Sequence, residues 1–596
     1  MTNNFTSSKS KIHSSTEVSD VELIIQLLEQ SGVSQTFISP MGLLLLLTIF
    51  AIIWVKVLGG NTSKGNKHKL ARAKWARRRE KRNARNIASK QIEGRRHNEV
   101  ALYISRTKVA KPLKVDGKYL IHIPKSAQRI YLPDANRGAL VCGAPGSGKT
   151  YSFITPALRS SIDQGFPIIL YDNKYNLYKS QTAKIAGYAI ERGYKVSVLA
   201  PGFAESTIAN PLDLLKDETD AAMARQLAVT LNKNLKLGDG DKDSFFTNAG
   251  DLLTQAVFQL AKVTSYPDIL MCYVILSLDN LALRIQNAEL NLWVKSSFSQ
   301  FLSVAKSDRT AAKIIGTTLG LFTRFLIPEL LSVFCGQTDL PLKLKGRQMV
   351  VFGMDDEKRD VISPLVASVL HLLATLNLAR QRTSPLILSL DELPTIYLPS
   401  LEDWLNQKRE NGLVGILGVQ NLSQLEKSYG DKGAETIFTG CMTKAFFNPG
   451  SSKAAENYSK YLGREEVVNK RQNRNINVKG GINSDASKDI GQRNLFEASQ
   501  FNTLKKGRAV IINPGFQSGN LAALPLLESI KLSPITEKHL EKRSVSKWHE
   551  YKEQLTKNSK IQQITEKDLQ VRLEEANNLL PLLTQVIETE ETRFGY

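Results

Sequence analysis

Cysteine is scarce in this sequence, and acidic residues are outnumbered. The four cysteines, Cys142, Cys272, Cys335 and Cys441, stand far apart without the paired spacings that hold zinc. That rules against a disulfide framework or a structural zinc site and suits a reducing compartment for the bulk of the chain. Asp and Glu total 57 against 79 Lys and Arg, a formal net charge of +22. Such an excess favours an anionic partner, nucleic acid or an anionic membrane face, and carries no information about fold. At 596 residues the chain is too long for a single small module and has room for two to four domains.

Long apolar runs are also rare, which makes one of them conspicuous. Phe37 to Val55 is 19 residues without a charge, long enough to cross the hydrocarbon core of a bilayer. It lies too far from the start, and lacks the small-residue cleavage site, for a signal peptide. Residues 56–96 hold 15 Lys or Arg against 2 Glu, whereas residues 1–36 hold 2 Lys and 4 acids. The positive-inside rule therefore puts everything after Lys56 in the cytoplasm and the short tail outside. The basic stretch itself, from Lys64 through Arg85, has two compatible readings, attraction to anionic lipid headgroups and contact with nucleic-acid phosphates.

Beyond residue 100 apolar strand-like runs alternate with helical patterns, the signature of an α/β fold. Ala139-Leu140-Val141-Cys142 reads as a buried strand and feeds into Gly143-Ala144-Pro145-Gly146-Ser147-Gly148-Lys149-Thr150, followed by a helical pattern from Phe153 to Ile162. Every fixed position of a P-loop is present in its strand-loop-helix context. The glycines let backbone N–H groups approach a triphosphate, Lys149 would neutralise the β- and γ-phosphates, and the Thr150 hydroxyl would ligate Mg2+. ATP with Mg2+ is the expected cofactor.

A P-loop needs a carboxylate on a neighbouring strand. Leu386 to Leu390 ends in Asp391-Glu392, where Asp391 can hold the metal through water and Glu392 can polarise the attacking water. A third apolar run, Leu413 to Val419, ends in Gln420, whose amide can sense the γ-phosphate or position water. Arg409, 18 residues after Asp391 and 11 before Gln420, falls at the end of a helix expected over Leu401 to Lys408. It reads either as a solvated charge favoured at a helix C-terminus or as an arginine finger for a neighbouring subunit.

In combination these residues resemble the coupling proteins of conjugative type IV secretion systems, the TraG/TraD group. The likeness rests on the P-loop, the Leu-Ser-Leu-Asp391-Glu392 strand end, Arg409-x-x-Gly412 and the Gln420–Leu425 segment. The Asp-x-Lys ending at Lys174, Asn210-Pro211-Leu212 and Asp243-Ser244-Phe245-Phe246 add to it. It spans roughly residues 125 to 530. It implies a RecA-like P-loop nucleotide-binding domain with an inserted all-α domain and an N-terminal transmembrane anchor in the bacterial inner membrane. It further implies a homo-hexamer that uses ATP hydrolysis to move DNA, single-stranded and without sequence preference, recruited with a relaxase or relaxosome to type IV secretion channel components. A secretion receptor for protein effectors and an FtsK-like DNA pump share the same motor motifs and stay open as alternatives. The expected order is a periplasmic tail (1–36), a transmembrane helix (37–58), a basic juxtamembrane linker (59–100), the first part of the nucleotide-binding domain (101–215), an all-α insertion (216–340), its second part (341–531) and a charged helical tail (532–596).

Two departures from the family pattern stand out. Its members carry two transmembrane helices, and here one segment qualifies, because residues 21–28 are too short and carry Glu22. Tyr175 follows Lys174 where the family favours glycine, which implies a different local turn. The tail reads as a solvated appendage, with a docking role for a relaxase complex or adaptor as the alternative.

Overall fold

The computed structural model describes residues 73–104, 113–115, 118–120, 129–235, 244–476, 482–530 and 532–582, all within one unit of the chain, Ala71–Tyr596. The apolar segment 37–55 and the basic residues before Ala73 lie outside the described residues, as does Asp243.

A nine-stranded sheet organises the molecule. In chain order its strands are β1 (Ala139–Cys142), β2 (Ile168–Asp172), β3 (Lys195–Leu199), β4 (Gln348–Gly353), β5 (Leu386–Leu390), β6 (Leu413–Val419), β7 (Thr443–Phe446), β8 (Arg508–Ile512) and β9 (Pro525–Ser529). Across the sheet they run β9-β8-β7-β1-β6-β5-β2-β4-β3. The seven from β7 to β3 are parallel, and β8 and β9 continue the sheet antiparallel. Strands covered on both faces must be apolar throughout rather than alternating, which is why β1, β5 and β6 read as unbroken runs. Their residues are all buried.

One consequence of parallel pairing is that the carboxyl ends of β1, β6, β5 and β2 share a rim. Register fixes this: Val419 pairs with Cys142 across β6–β1, and Leu417 with Leu390 across β6–β5. Loops leaving that rim meet one another even when hundreds of residues separate them in sequence.

Between β3 and β4 the chain leaves the sheet. Residues 216–340 carry eight helices, from Ala221–Leu235 to Pro328–Phe334, and no strand among the described residues. Asn210 explains the departure point: its side chain accepts from Leu212 N–H at 3.1 Å and donates to Pro267 O at 2.7 Å, capping the short turn Pro211–Leu214 and tying it to the insertion. The helix Arg359–Leu378 then packs against Ala221–Leu235. It is long and apolar enough to cross a membrane, yet it is a core helix, with 83% of its most apolar stretch buried inside the protein.

Helix Thr155–Gln164 shows how polar residues are accommodated in the core. Asp163 is buried and accepts from Tyr103 OH (2.9 Å), Tyr188 OH (2.8 Å) and Arg192 Nε (2.7 Å), so its charge is both paired and hydrogen-bonded. Part of the basic stretch is docked as well. Helix Arg78–Gly94 buries Ala84 and Ala88, packs on strand Ile130–Leu132, and pairs Lys81 with Glu528 at 2.8 Å.

The tail corrects the expectation of a solvated appendage. Helix Pro534–Lys557 lies along helix Gln181–Ile190, burying Leu540, Val545 and Trp548. Arg159 and Glu537 form an ion pair with both side chains buried. Ser544 accepts from Tyr188 N–H and donates to Ala183 O, and Lys552 pairs with buried Glu205 at 2.8 Å. Helix Glu566–Leu579 crosses to the insertion, where Arg572 Nη2 meets Asp268 at 2.5 Å and Arg284 donates to Leu580 O at 2.7 Å. The tail therefore straps the sheet domain to the helical one.

Candidate nucleotide site

The loop after β1 is held in shape by its own backbone and by the strands on either side. Gly143 N–H donates to Val419 O at 3.2 Å, and Ala144 N–H to Asn448 O at 2.9 Å. Two glycines are required by conformation: Gly146 and Gly148 sit at φ +78° and +101°, where side chains are strained. Gly143 is required by space, because a Cβ there would stand 2.6 Å from Ser147 Oγ. Pro145 and Ser147 complete the loop, and Lys149 and Thr150 open the helical segment that continues as Thr155–Gln164.

Across the rim, five predicted side chains converge. Lys149 Nζ donates to Glu392 Oε2 at 2.9 Å and lies 3.9 Å from Asp391 Oδ1. Thr150 Oγ1 donates to Asp391 Oδ2 at 2.5 Å. The fifth, Gln420, donates its amide to the other oxygen of Glu392. Residues from three strand ends, β1, β5 and β6, thus form one cluster on the wall of a cavity of about 410 Å³. Glu392 sits at φ +72°, a costly backbone conformation for a non-glycine residue that aims its carboxylate toward Lys149.

The two carboxylates differ in electrostatics. Burial raises the Asp391 carboxyl above the usual range, more than the Lys149 charge and the Thr150 hydrogen bond bring it down. Burial also pushes Glu392 upward, but Lys149, the Gln420 amide and the Lys174 charge together leave it below the usual range. Glu392 is therefore a carboxylate at neutral pH, as a water-orienting base has to be.

A metal-bound nucleotide fits the polar atoms left over. Asp391 Oδ1 and Ser147 Oγ are buried without a hydrogen-bond partner, one suited to a cation's hydration shell and the other to a phosphate oxygen. Among the described residues no group of three or more His, Cys, Asp or Glu forms a metal cluster. Thr150 and Asp391 are the residues that would hold Mg2+ alongside the phosphates.

Arg409 is not brought to this cluster. It is exposed in the turn between helix Leu401–Gln407 and β6, at the amino-terminal rim of the sheet, roughly 20 Å away along β6 at a strand's rise per residue. Tyr175 explains the missing glycine after Lys174: its ring covers Gly353, whose Cβ would stand 2.5 Å from it, and its hydroxyl donates to Glu205 at 2.7 Å. Asp172 accepts from Thr182 N–H and Oγ1, each at 2.7 Å, and so anchors helix Gln181–Ile190. Lys174, Lys184 and Lys506 also line the cavity. Lys184 and Lys506 lie outside any local motif.

Residues 385–506 match the family described as the TraM recognition site of TraD and TraG. Coupling protein TraD of Escherichia coli strain K12 is 31% identical over 129 residues, which span 21% of this chain and 18% of TraD's length. In sequence and in fold, the chain resembles the conjugative coupling proteins. The fold likeness comes from the bacterial conjugative coupling protein TrwBdeltaN70 in an unbound form (TM-score 0.53, 17% identity, covering 72% of this chain and 93% of that one). TrwB has also been solved with ADP and Mg2+ (TM-score 0.53, 17% identity, 72% and 93% covered). A third structure holds the non-hydrolysable ATP analogue ADPNP (TM-score 0.51, 17% identity, 72% and 94% covered). The shared architecture is a RecA-like P-loop domain with a helical domain.

Proposed function

We propose that this chain is an ATP-hydrolysing coupling protein that delivers a DNA-protein substrate to a type IV secretion channel during conjugation. The observation that carries the reading is the convergence of Lys149, Thr150, Asp391, Glu392 and Gln420 from three strand ends onto one cavity wall. The nucleotide would supply the phosphoanhydride bond, and Mg2+, held by Thr150 and Asp391, would offset the negative charge of the phosphates. Lys149 leaves Glu392 to meet the phosphates, and the freed carboxylate, held by Gln420, orients a water in line with the γ-phosphate.

Translocation, assembly and location belong to the same proposal. The protein works as a homo-hexamer anchored in the inner membrane by residues 37–55, with Arg409 reaching a neighbour's nucleotide. Its partners are single-stranded DNA, gripped through phosphates, and relaxosome proteins. The match to a TraM recognition site supports a relaxosome contact within residues 385–506.

The test is the ATPase rate of the full chain in detergent or nanodiscs, measured against protein concentration with and without single-stranded DNA. Stimulation by DNA is expected. A rate unchanged by DNA but raised by a secreted protein would favour the protein-effector receptor.

A further inference from the structure

Lys506 reaches the candidate nucleotide cavity by a route independent of the P-loop motif. It stands just before β8, and β8 runs antiparallel to β7, with Phe446 opposite Val510 and Lys444 opposite Ile512. Antiparallel pairing reverses the strand, so the start of β8 lies at the rim where β1, β6 and β5 end. Counting along the sheet, Glu392 arrives from β5, two strands from β1 on one side, and Lys506 from β8, two strands away on the other. The two residues flank the P-loop.

The turn carrying Lys506 is clamped to that loop. Gly507 N–H donates to Ser147 O at 2.9 Å, and Ile530 N–H donates to Gly507 O at 2.9 Å. The approach is so close that a Cβ on Gly148 would stand 2.8 Å from Gly507 N, and one on Gly507 would stand 3.0 Å from Ser152 Oγ. Gly507 adopts φ +76°, which turns the chain so that Lys506 lines the cavity while Lys505 does not. Lys506 is exposed, and no ion pair or hydrogen bond engages its ammonium among the described residues. A cation on a fixed turn, unneutralised and facing a phosphate-binding loop, has one evident use.

We infer that Lys506 is a second phosphate-binding cation of the nucleotide site, acting on the part of the nucleotide remote from Glu392. Glu392 and Gln420 serve the transferred γ-phosphate, Lys149 the β- and γ-phosphates, and Lys506 the phosphates that ADP and ATP have in common. This rests on the nucleotide reading above and adds a residue to it. A charge that contacts ADP and ATP alike contributes uniform binding, lowering KM without changing kcat.

The experiment is equilibrium binding of fluorescent mant-ADP and of a non-hydrolysable mant-labelled ATP analogue, each with Mg2+, to the full chain in detergent. Lys506→Ala should weaken both by about the same factor, about tenfold, as expected for loss of one charge-assisted contact. Lys506→Arg should restore binding to within about twofold, Lys505→Ala should leave it unchanged, and KM should rise at constant kcat. The inference is overturned by equal affinities of Lys506→Ala and wild type, by a loss that arginine does not restore, or by a loss confined to the triphosphate analogue. Wild-type protein that binds neither nucleotide would instead overturn the proposed function. Thermal unfolding without nucleotide should be the same for all these variants, since an exposed side chain contributes little to packing.

Discussion

Lys149 Nζ donates to Glu392 Oε2 across 2.9 Å, joining the P-loop lysine to the carboxylate that Gln420 also holds. The pair sets up two opposite mutational outcomes. Lys149→Ala should abolish nucleotide binding and turnover with the fold intact. Glu392→Gln should lose turnover by orders of magnitude yet bind ATP as tightly as wild type or severalfold more tightly, because Lys149 no longer has to leave its nearer carboxylate, Glu392. Filter binding beside a phosphate-release assay separates them. Normal turnover in Glu392→Gln would remove the base assignment.

Arg409 lies at the rim opposite the P-loop, so any role in hydrolysis must be played in a neighbouring subunit. Arg409→Ala should bind ATP normally, lose turnover by orders of magnitude, and depress wild-type activity when mixed with it. Specific activity should rise with protein concentration as rings assemble. An active Arg409→Ala protein would reduce this residue to a helix-end charge.

If the chain binds DNA as proposed, affinity should fall steeply with salt and vary little with sequence, since an excess of +22 would act on phosphates rather than bases. Fluorescence anisotropy with several single-stranded oligonucleotides between low and physiological salt measures both dependences. A flat salt response would point to a protein cargo.

His371 gives the folded chain a dependence on pH. Its ring is stacked on Trp404 at 5.0 Å between centroids, neither ring nitrogen has a hydrogen-bond partner, and burial pushes its pKa down to about 3 from 6.5. A depressed histidine binds its proton in the unfolded chain first. Stability is therefore full above about pH 6.5 and falls as pH drops toward 3, by about 1.4 kcal/mol per pH unit. Urea denaturation at pH 7 and pH 5 should differ by about 2 kcal/mol from this group, and His371→Leu should remove that share of the difference. An identical pH response in His371→Leu would show that other groups carry it.

Gly187 marks the contact between helix Gln181–Ile190 and the tail, because a Cβ there would stand 1.9 Å from Ser544 O. Gly187→Ala should destabilise the protein by about 1–3 kcal/mol and open the tail to protease, although alanine is the better helix former. Limited proteolysis followed by mass spectrometry would locate the cut. Unaltered resistance would mean the tail helix can shift without cost.

Legibility in the sequence followed the range of the interaction. Buried parallel strands must be apolar along their length, so β1, β5 and β6 were readable together with the acids and amide at their ends. The P-loop was readable because its glycines answer to local φ values and clearances. Lys506 was hidden, since Lys505-Lys506-Gly507 resembles any basic turn until the antiparallel register of β8 carries it to the rim. The tail conceals its packing for a similar reason. Its buried face is sparse, with Leu540, Val545 and Trp548 among many charges, and Glu537 and Arg572 are buried against Arg159 and Asp268, hundreds of residues earlier. Periodicity along one helix cannot disclose a partner charge elsewhere in the chain.

The strap formed by the tail also sets a schedule for synthesis. Arg159 leaves the ribosome 378 residues before Glu537, which at about 5 to 20 residues per second is a wait of roughly 20 to 75 seconds. Strands β4 to β9 are made within the same interval, so the groove beside Gly187 and the guanidinium of Arg159 await their strap while the sheet itself is still being completed, up to Ser529. A segment made after all nine strands is the one that closes the groove beside Gly187.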